Sequence, residues 1–126
     1  MKITAIVARG RDAGTRFEEV ELEEHEIDEG PGSPVLSATE RLPAGRATFM
    51  NIPRGWRWDW HSSPTRDFVY VVEGQVTVTV GTRGAEESRS FGPGELFCFD
   101  DPVGRGHRTT VDRASRLVHI QGLKDS

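Results

Sequence analysis

Four residues at fixed spacing could do chemistry in this chain: His61, Ser63, Asp67 and His107. The first three lie in a run that reads Gly55, five residues, His61, one residue, Ser63, three residues, Asp67, six residues, Gly74. The fourth closes the run Pro102-Val-Gly-Arg-Gly-His107. Imidazoles take up and release protons near neutral pH, and a carboxylate beside one can orient it, so His61, His107 and Asp67 are candidate proton-transfer residues. Two histidines and one carboxylate are also a set that can bind a divalent transition metal and leave positions open for substrate. His61, Asp67 and His107 are therefore the candidate metal ligands as well. Ser63 offers a neutral hydroxyl, a poor ligand for such metals.

The elements that must position these residues are strands. Glycine and proline, 14 and 7 residues of 126, make up a sixth of the chain and punctuate short runs of Val, Thr, Phe and Ile, the pattern of an all-β domain. Strands are expected near 2 to 8, 16 to 22, 35 to 41, 46 to 51, 56 to 61, 67 to 73, 75 to 80, 95 to 99, 106 to 111 and 115 to 121. Residues two apart share a face of a sheet. Arg57, Asp59, His61 and Ser63 thus fall on one side of their strand, with Trp56, Trp58 and Trp60 on the other. If His61 points inward, three tryptophans point outward, and either the N-terminal strands or a second subunit must cover them. By the same parity Val69 and Val71 continue the Asp67 face, while Thr109 and Val111 share the His107 face. The expected pocket is lined by Ser63, Asp59, Val69, Val71 and Thr109, mostly apolar with a few convergent polar groups. Phe68, Tyr70 and Val72 point the other way. His119, on the last strand, is a spare ligand or a packed residue.

Length and charge exclude several classes. A chain of 126 residues is one domain's worth, residues 1 to 34 forming N-terminal strands and an acidic loop and 35 to 121 the core. The net charge of -4, with no basic stripe, argues against nucleic acid as a partner. No apolar run approaches the roughly 20 residues of a bilayer span, and the N-terminal apolar stretch is too short for a signal peptide. No membrane association is expected, and a cytoplasmic location is. Cys98 is the only cysteine, in Leu-Phe-Cys-Phe, which reads as buried strand rather than nucleophile. The acidic stretch from Glu18 to Glu29 reads as a solvated face with His25 exposed in it.

The two runs resemble the motifs of the cupin superfamily, G-x5-H-x-H-x3-E-x6-G and P-x-G-x2-H, with the Gly92-Pro93-Gly94-Glu95 turn between them. The resemblance covers roughly residues 35 to 121 and is similar to small bacterial cupins that keep one histidine in each motif. It implies a single cupin unit, a jelly-roll-like double-sheet barrel of six to eight strands, commonly dimeric, with a pocket in its mouth. It also implies a metal held by two histidines and a glutamate of the first motif with the histidine of the second. Here Ser63 replaces one histidine and Asp67 replaces the glutamate, a retreat of about 1.5 Å against a tolerance of about 0.2 Å on ligand distances. Val111 stands where the second motif usually has asparagine. Seven residues rather than the usual five separate Gly94 from Pro102, so the loop there is expected to form a lip over the mouth. Fold alone does not choose a reaction. The leading expectation is proton transfer on an apolar or aromatic carbonyl-type small molecule, as an isomerase, cyclase or lyase, with or without a divalent metal. A noncatalytic small-molecule-binding module and a metal-dependent dioxygenase are the alternatives, and a homodimer is the expected assembly.

Overall fold

A computed structural model describes residues 1–8 and 14–123 of the chain. Its elements are all strands: β1 (Lys2–Ala8), β2 (Thr15–Glu21), β3 (His25–Ile27), β4 (Leu36–Ala38), β5 (Arg46–Ile52), β6 (Arg57–His61), β7 (Arg66–Thr82), β8 (Ala85–Phe91), β9 (Leu96–Asp100) and β10 (His107–Leu123). The fold class is all-β, as the punctuation by glycine and proline implies. No helix among the described residues is long and apolar enough to cross a membrane.

Two long strands, β7 and β10, run antiparallel as the spine, where four shorter strands were expected. Gly74 and Ser115 mark the middle of the spine, where the register slips rather than the strands ending. Gly74 has φ +91, and a Cβ there would strike Ser115 and the Ala114 carbonyl, so only glycine lets the two backbones pass this closely. On one side of this joint β10 pairs with β5 and β7 with β9. On the other β10 pairs with β6 and β7 with β8. Valines and leucine from both halves, Val69, Val71 and Leu117 with Val76, Val78, Val80 and Val111, join one buried cluster with Phe91, Phe97 and Phe99. The two halves therefore close on each other, and this shared core is the wall behind the site.

The N-terminal β1 lies parallel to β9 and antiparallel to β2. Its Ile3 and Ala5 cover Phe68 and Cys98 on the outer face of the spine, forming a second apolar cluster. Tyr70 and Val72 remain exposed. Strand β8 was not expected from its sequence, Ala-Glu-Glu-Ser-Arg-Ser-Phe, which is polar and low in strand propensity. The turn before it and cross-strand hydroxyl pairs hold it, Thr77 with Ser90 and Thr79 with Ser88, each at 2.8 Å. Strand β3 falls inside the acidic stretch expected to be merely solvated, and β4 keeps only three of the seven residues expected between 35 and 41.

Candidate functional site

Strand β6, from the first run, lies directly against β10, from the second. His61 is the register partner of His107, and their rings are 4.7 Å apart, tilted by 57°. Two residues further along β10, Thr109 pairs with Trp58, three residues back along β6. Asp59 and Trp60 thus oppose the single residue Arg108, which is a β-bulge. This bulge overturns the parity drawn from the sequence. Trp58 and His61 both face the interior, Asp59 is exposed, and Trp60 turns outward beneath Arg105, whose guanidinium lies 3.5 Å from its ring centroid. Of the three tryptophans expected outside, only Trp56 is openly exposed, at 50%. The Asp59 carboxylate accepts the Trp60 N–H at 3.1 Å within the bulge.

Each histidine is held by one ring nitrogen. His61 Nδ1 lies 2.7 Å from the carbonyl oxygen of Asp59. A carbonyl can only accept, so Nδ1 carries the proton and Nε2 is left for chemistry. His107 is buried, stacks on Phe99 with centroids 3.8 Å apart and planes within 7°, and bonds Asp101 Oδ2 through Nδ1 at 2.6 Å. Asp101 is fully buried. Burial raises its pKa above the ordinary value, although the hydrogen bond and charge of His107 pull it back. The longer loop expected as a lip instead tucks this carboxylate under the second histidine. Ser63 fixes the loop there, its backbone N–H donating to the Asp101 carbonyl at 3.1 Å. Asp101 is the candidate site residue that reading from the sequence missed, and the two extra loop residues were its trace.

The rings border a cavity of about 300 Å³ lined by His61, His107, Trp58, Thr109, Val69 and Phe99, with Met50, Phe97, Leu117 and His119 also on its walls. Ser63, Asp59 and Val71 do not line it. Ser63 is buried beside the Asp101 loop, Asp59 faces solvent, and Val71 is sealed within the core. Asp67 is not brought together with His61 and His107. Its Oδ2 takes a hydrogen bond from His119 Nε2 at 3.1 Å and its Oδ1 one from Thr65 at 2.8 Å. Among the described residues no three His, Cys, Asp or Glu side chains gather as a set that could hold a metal ion. The expected centre of His61, Asp67 and His107 does not fit, because its carboxylate is engaged by His119 and Thr65. Cys98 is buried, and desolvation pushes its thiol up to about 11, which keeps it protonated and unreactive.

Burial is the largest influence on Asp67 and acts to raise its pKa, yet the His119 and Thr65 hydrogen bonds together outweigh it and the pKa is lowered. The unfolded chain therefore takes up this proton before the folded chain does. Asp67 contributes stability in full above the ordinary value of 3.8 and loses it as pH falls through the lowered folded value. Urea unfolding between about pH 2 and 5 will show the wild type losing stability on acidification more steeply than Asp67→Asn. Equal slopes would show that the pairing with His119 does not form in solution.

The pairing of the two motif strands through their histidines, on a spine of two long antiparallel strands, brings the two motifs together. This all-β arrangement is consistent with the cupin fold that the motifs resemble. No family model matches the sequence, and no curated protein matches it. Among solved structures the chain is similar to a protein of Neisseria meningitidis, at 19% identity over 83% of this chain and 88% of that one, with a TM-score of 0.47. It is similar also to a tryptophan-to-tyrosine variant of Bacillus subtilis oxalate decarboxylase, at 15% identity over 98% of this chain and 29% of that one, with a TM-score of 0.49. A further oxalate decarboxylase structure from the same organism, a protein with Mn(II) centres, matches at 20% identity over all of this chain and 30% of its own, with a TM-score of 0.47. The chain thus spans less than a third of the decarboxylase chains. Likenesses at these levels transfer no activity, substrate or metal to this chain.

Proposed function

We propose that the cavity binds a small apolar or aromatic carbonyl compound and that His107 and His61 move a proton on it, as an isomerase, cyclase or lyase does. The observation that carries this reading is the pair of adjacent imidazoles, each held at Nδ1, one by buried Asp101 and one by the Asp59 carbonyl. Both Nε2 atoms are thereby reserved for a bound molecule. His107, buried and braced by a carboxylate, suits the base. Its Nε2 removes a proton from carbon next to the carbonyl, and the electron pair of that C–H bond moves into the C=O. His61, exposed to water, suits the acid: it takes a second proton from solvent on Nε2 while Nδ1–H stays on the Asp59 carbonyl, and that Nε2–H of the imidazolium protonates the carbonyl oxygen as the enol forms. Where the compound carries a β,γ double bond the enol is a dienol, and return of the proton from His107 to the γ carbon, with the enol proton going back to His61, moves the double bond into conjugation and restores both histidines. The wall of Trp58, Phe97, Phe99, Val69 and Leu117 excludes water and packs an apolar body. At roughly 30 Å³ per water, about 300 Å³ corresponds to a compound of one or two rings.

The test can be run with simple carbonyl compounds in place of the natural substrate. Small cyclic ketones and aromatic carbonyl compounds are incubated with the protein in deuterated water, and deuterium entering beside the carbonyl is followed by NMR. Binding with exchange is expected, with His61→Gln and His107→Gln each slowing it by about 10²–10⁴-fold and leaving the circular dichroism unchanged. Compounds that bind without exchange, or exchange that survives both substitutions, would make the cavity a binding site only.

A further inference from the structure

His61, His107 and Thr109 reach the cavity from the half of the spine where β10 pairs with β6. The half beyond Ser115, where β10 pairs with β5, contributes Leu117, His119 and Gln121, three alternate residues of one strand face. His119 and Gln121 are half-buried, and the proton transfer described above uses neither. His119 is fixed by Asp67. Its Nε2 stands 3.1 Å from Asp67 Oδ2, while Asp67 Oδ1 is taken by the Thr65 hydroxyl, which itself accepts the Gly122 N–H at 3.2 Å. An ionised carboxylate only accepts, so Nε2 carries the proton and Nδ1 of the neutral ring is a bare acceptor. Among the described residues nothing bonds that Nδ1. Gln121 engages its backbone carbonyl with the Gly45 N–H at 2.9 Å, but no described residue bonds its side-chain amide.

The cavity thus holds an acceptor and an amide that can donate, two residues apart on a strand. That spacing is roughly 7 Å, close enough for one oxygen to sit between them. Among the described residues no Lys, Arg, Asp or Glu lines the wall, and Arg46, the register partner of Gln121, is exposed and stands off it. An anion would meet the Nδ1 lone pair with the Asp67 charge behind it. A hydrocarbon edge would strip water from two polar groups and replace none of its hydrogen bonds. A hydroxyl suits both, its O–H donating to Nδ1 and its oxygen accepting from the Gln121 amide. Given the proton-transfer reading of this cavity, on which the inference rests, we propose that His119 and Gln121 bind a hydroxyl group of the same molecule, so that the substrate is a neutral hydroxylated carbonyl compound. Asp67 decides which ring nitrogen of His119 is bare.

Phenylacetone, its meta- and para-hydroxy derivatives and its para-carboxylate are titrated separately into the full chain at about pH 8, where a histidine of ordinary pKa is neutral, and followed by NMR. One hydroxy derivative should bind about 10-fold tighter than phenylacetone, because a site built to bond a hydroxyl rejects the compound that lacks it. The carboxylate should bind more weakly than either. Gln121→Leu should bring the hydroxyl preference close to nothing, and so should His119→Phe made together with Asp67→Asn, which leaves no carboxylate unpaired. Equal affinities for phenylacetone and both hydroxy derivatives would overturn the hydroxyl subsite. Tightest binding of the carboxylate would overturn it too, as would a preference that survives both variants. If none of the four compounds binds, the subsite and the carbonyl reading fall together. Deuterium exchange on the same samples separates them: a hydroxyl preference without exchange upholds the subsite and removes proton transfer, whereas exchange without the preference does the reverse.

Discussion

Asp101→Asn should leave the fold and ligand affinity intact and cut proton transfer by about 10⁴-fold, the size of effect seen when an amide replaces the orienting carboxylate of a catalytic triad. An asparagine can donate to His107 Nδ1, and the imidazole then carries its proton on Nε2, where the base must be bare. Asp101 is not on the cavity wall, so the loss should fall on kcat and spare KM. Asp101→Ala goes further. It leaves buried His107 without its carboxylate and opens a void beneath it, and should cost about 3–5 kcal/mol of stability by urea unfolding. A residue that merely filled space would not separate in this way, because Asn has nearly the same volume as Asp. Normal exchange in the Asn variant would remove Asp101 from the mechanism and leave it a structural pin.

Gly106→Ala should be the most damaging single methyl group that can be added near the site. Gly106 has φ +78, and a Cβ there would run into the carbonyl group of His61 and the amide nitrogen of Ser62. Both are backbone atoms and cannot turn aside. The left-handed conformation costs about 1–2 kcal/mol for a residue with a Cβ, and overpacking about 1–3 more. The thermal midpoint should fall on the order of 10 °C, and β6 should shift away from β10, taking His61 out of reach of His107. Gly84→Ala is the control. Its φ is +80, but a Cβ there meets nothing within 4 Å among the described residues, so only the conformational cost applies. If the two variants lose equal stability, β6 does not approach Gly106 this closely and the two histidines are held more loosely than their 4.7 Å separation implies.

The parts of the site legible in the sequence were those that depend on residue type at fixed spacing. Gly55, Gly74 and Gly106 announce places where the backbone takes positive φ, and His61 and His107 fall on neighbouring strands. What could not be read depends on how the ladders are interrupted. Strict alternation assigns Trp58 to the outside, and one extra residue in β6 reverses that assignment. Asp101 lies six residues before His107, a separation that says nothing about contact until the path of the loop is known. Asp67 shares a face with Val69 as alternation requires, yet its oxygens turn to His119 and Thr65, because a shorter side chain finds nearer donors than any ligand-sharing partner. Polar β8 escaped because its hydroxyl ladder and its turn, rather than apolar alternation, hold it.

The bulge at Asp59 and Trp60 also opens the strand to a different kind of change from the substitutions discussed above. Neither side chain enters the cavity, so the identity of each is open to drift. Their number can fall as well. Deleting either one would remove the bulge and bring β6 back to plain alternation, in which Trp58 and His61 stand two apart opposite Thr109 and His107 and still share a face. Relatives that share the site can therefore carry one residue or two between the aromatic and the histidine, and should be found by matching the strand pairing of the two histidines before aligning the residues themselves.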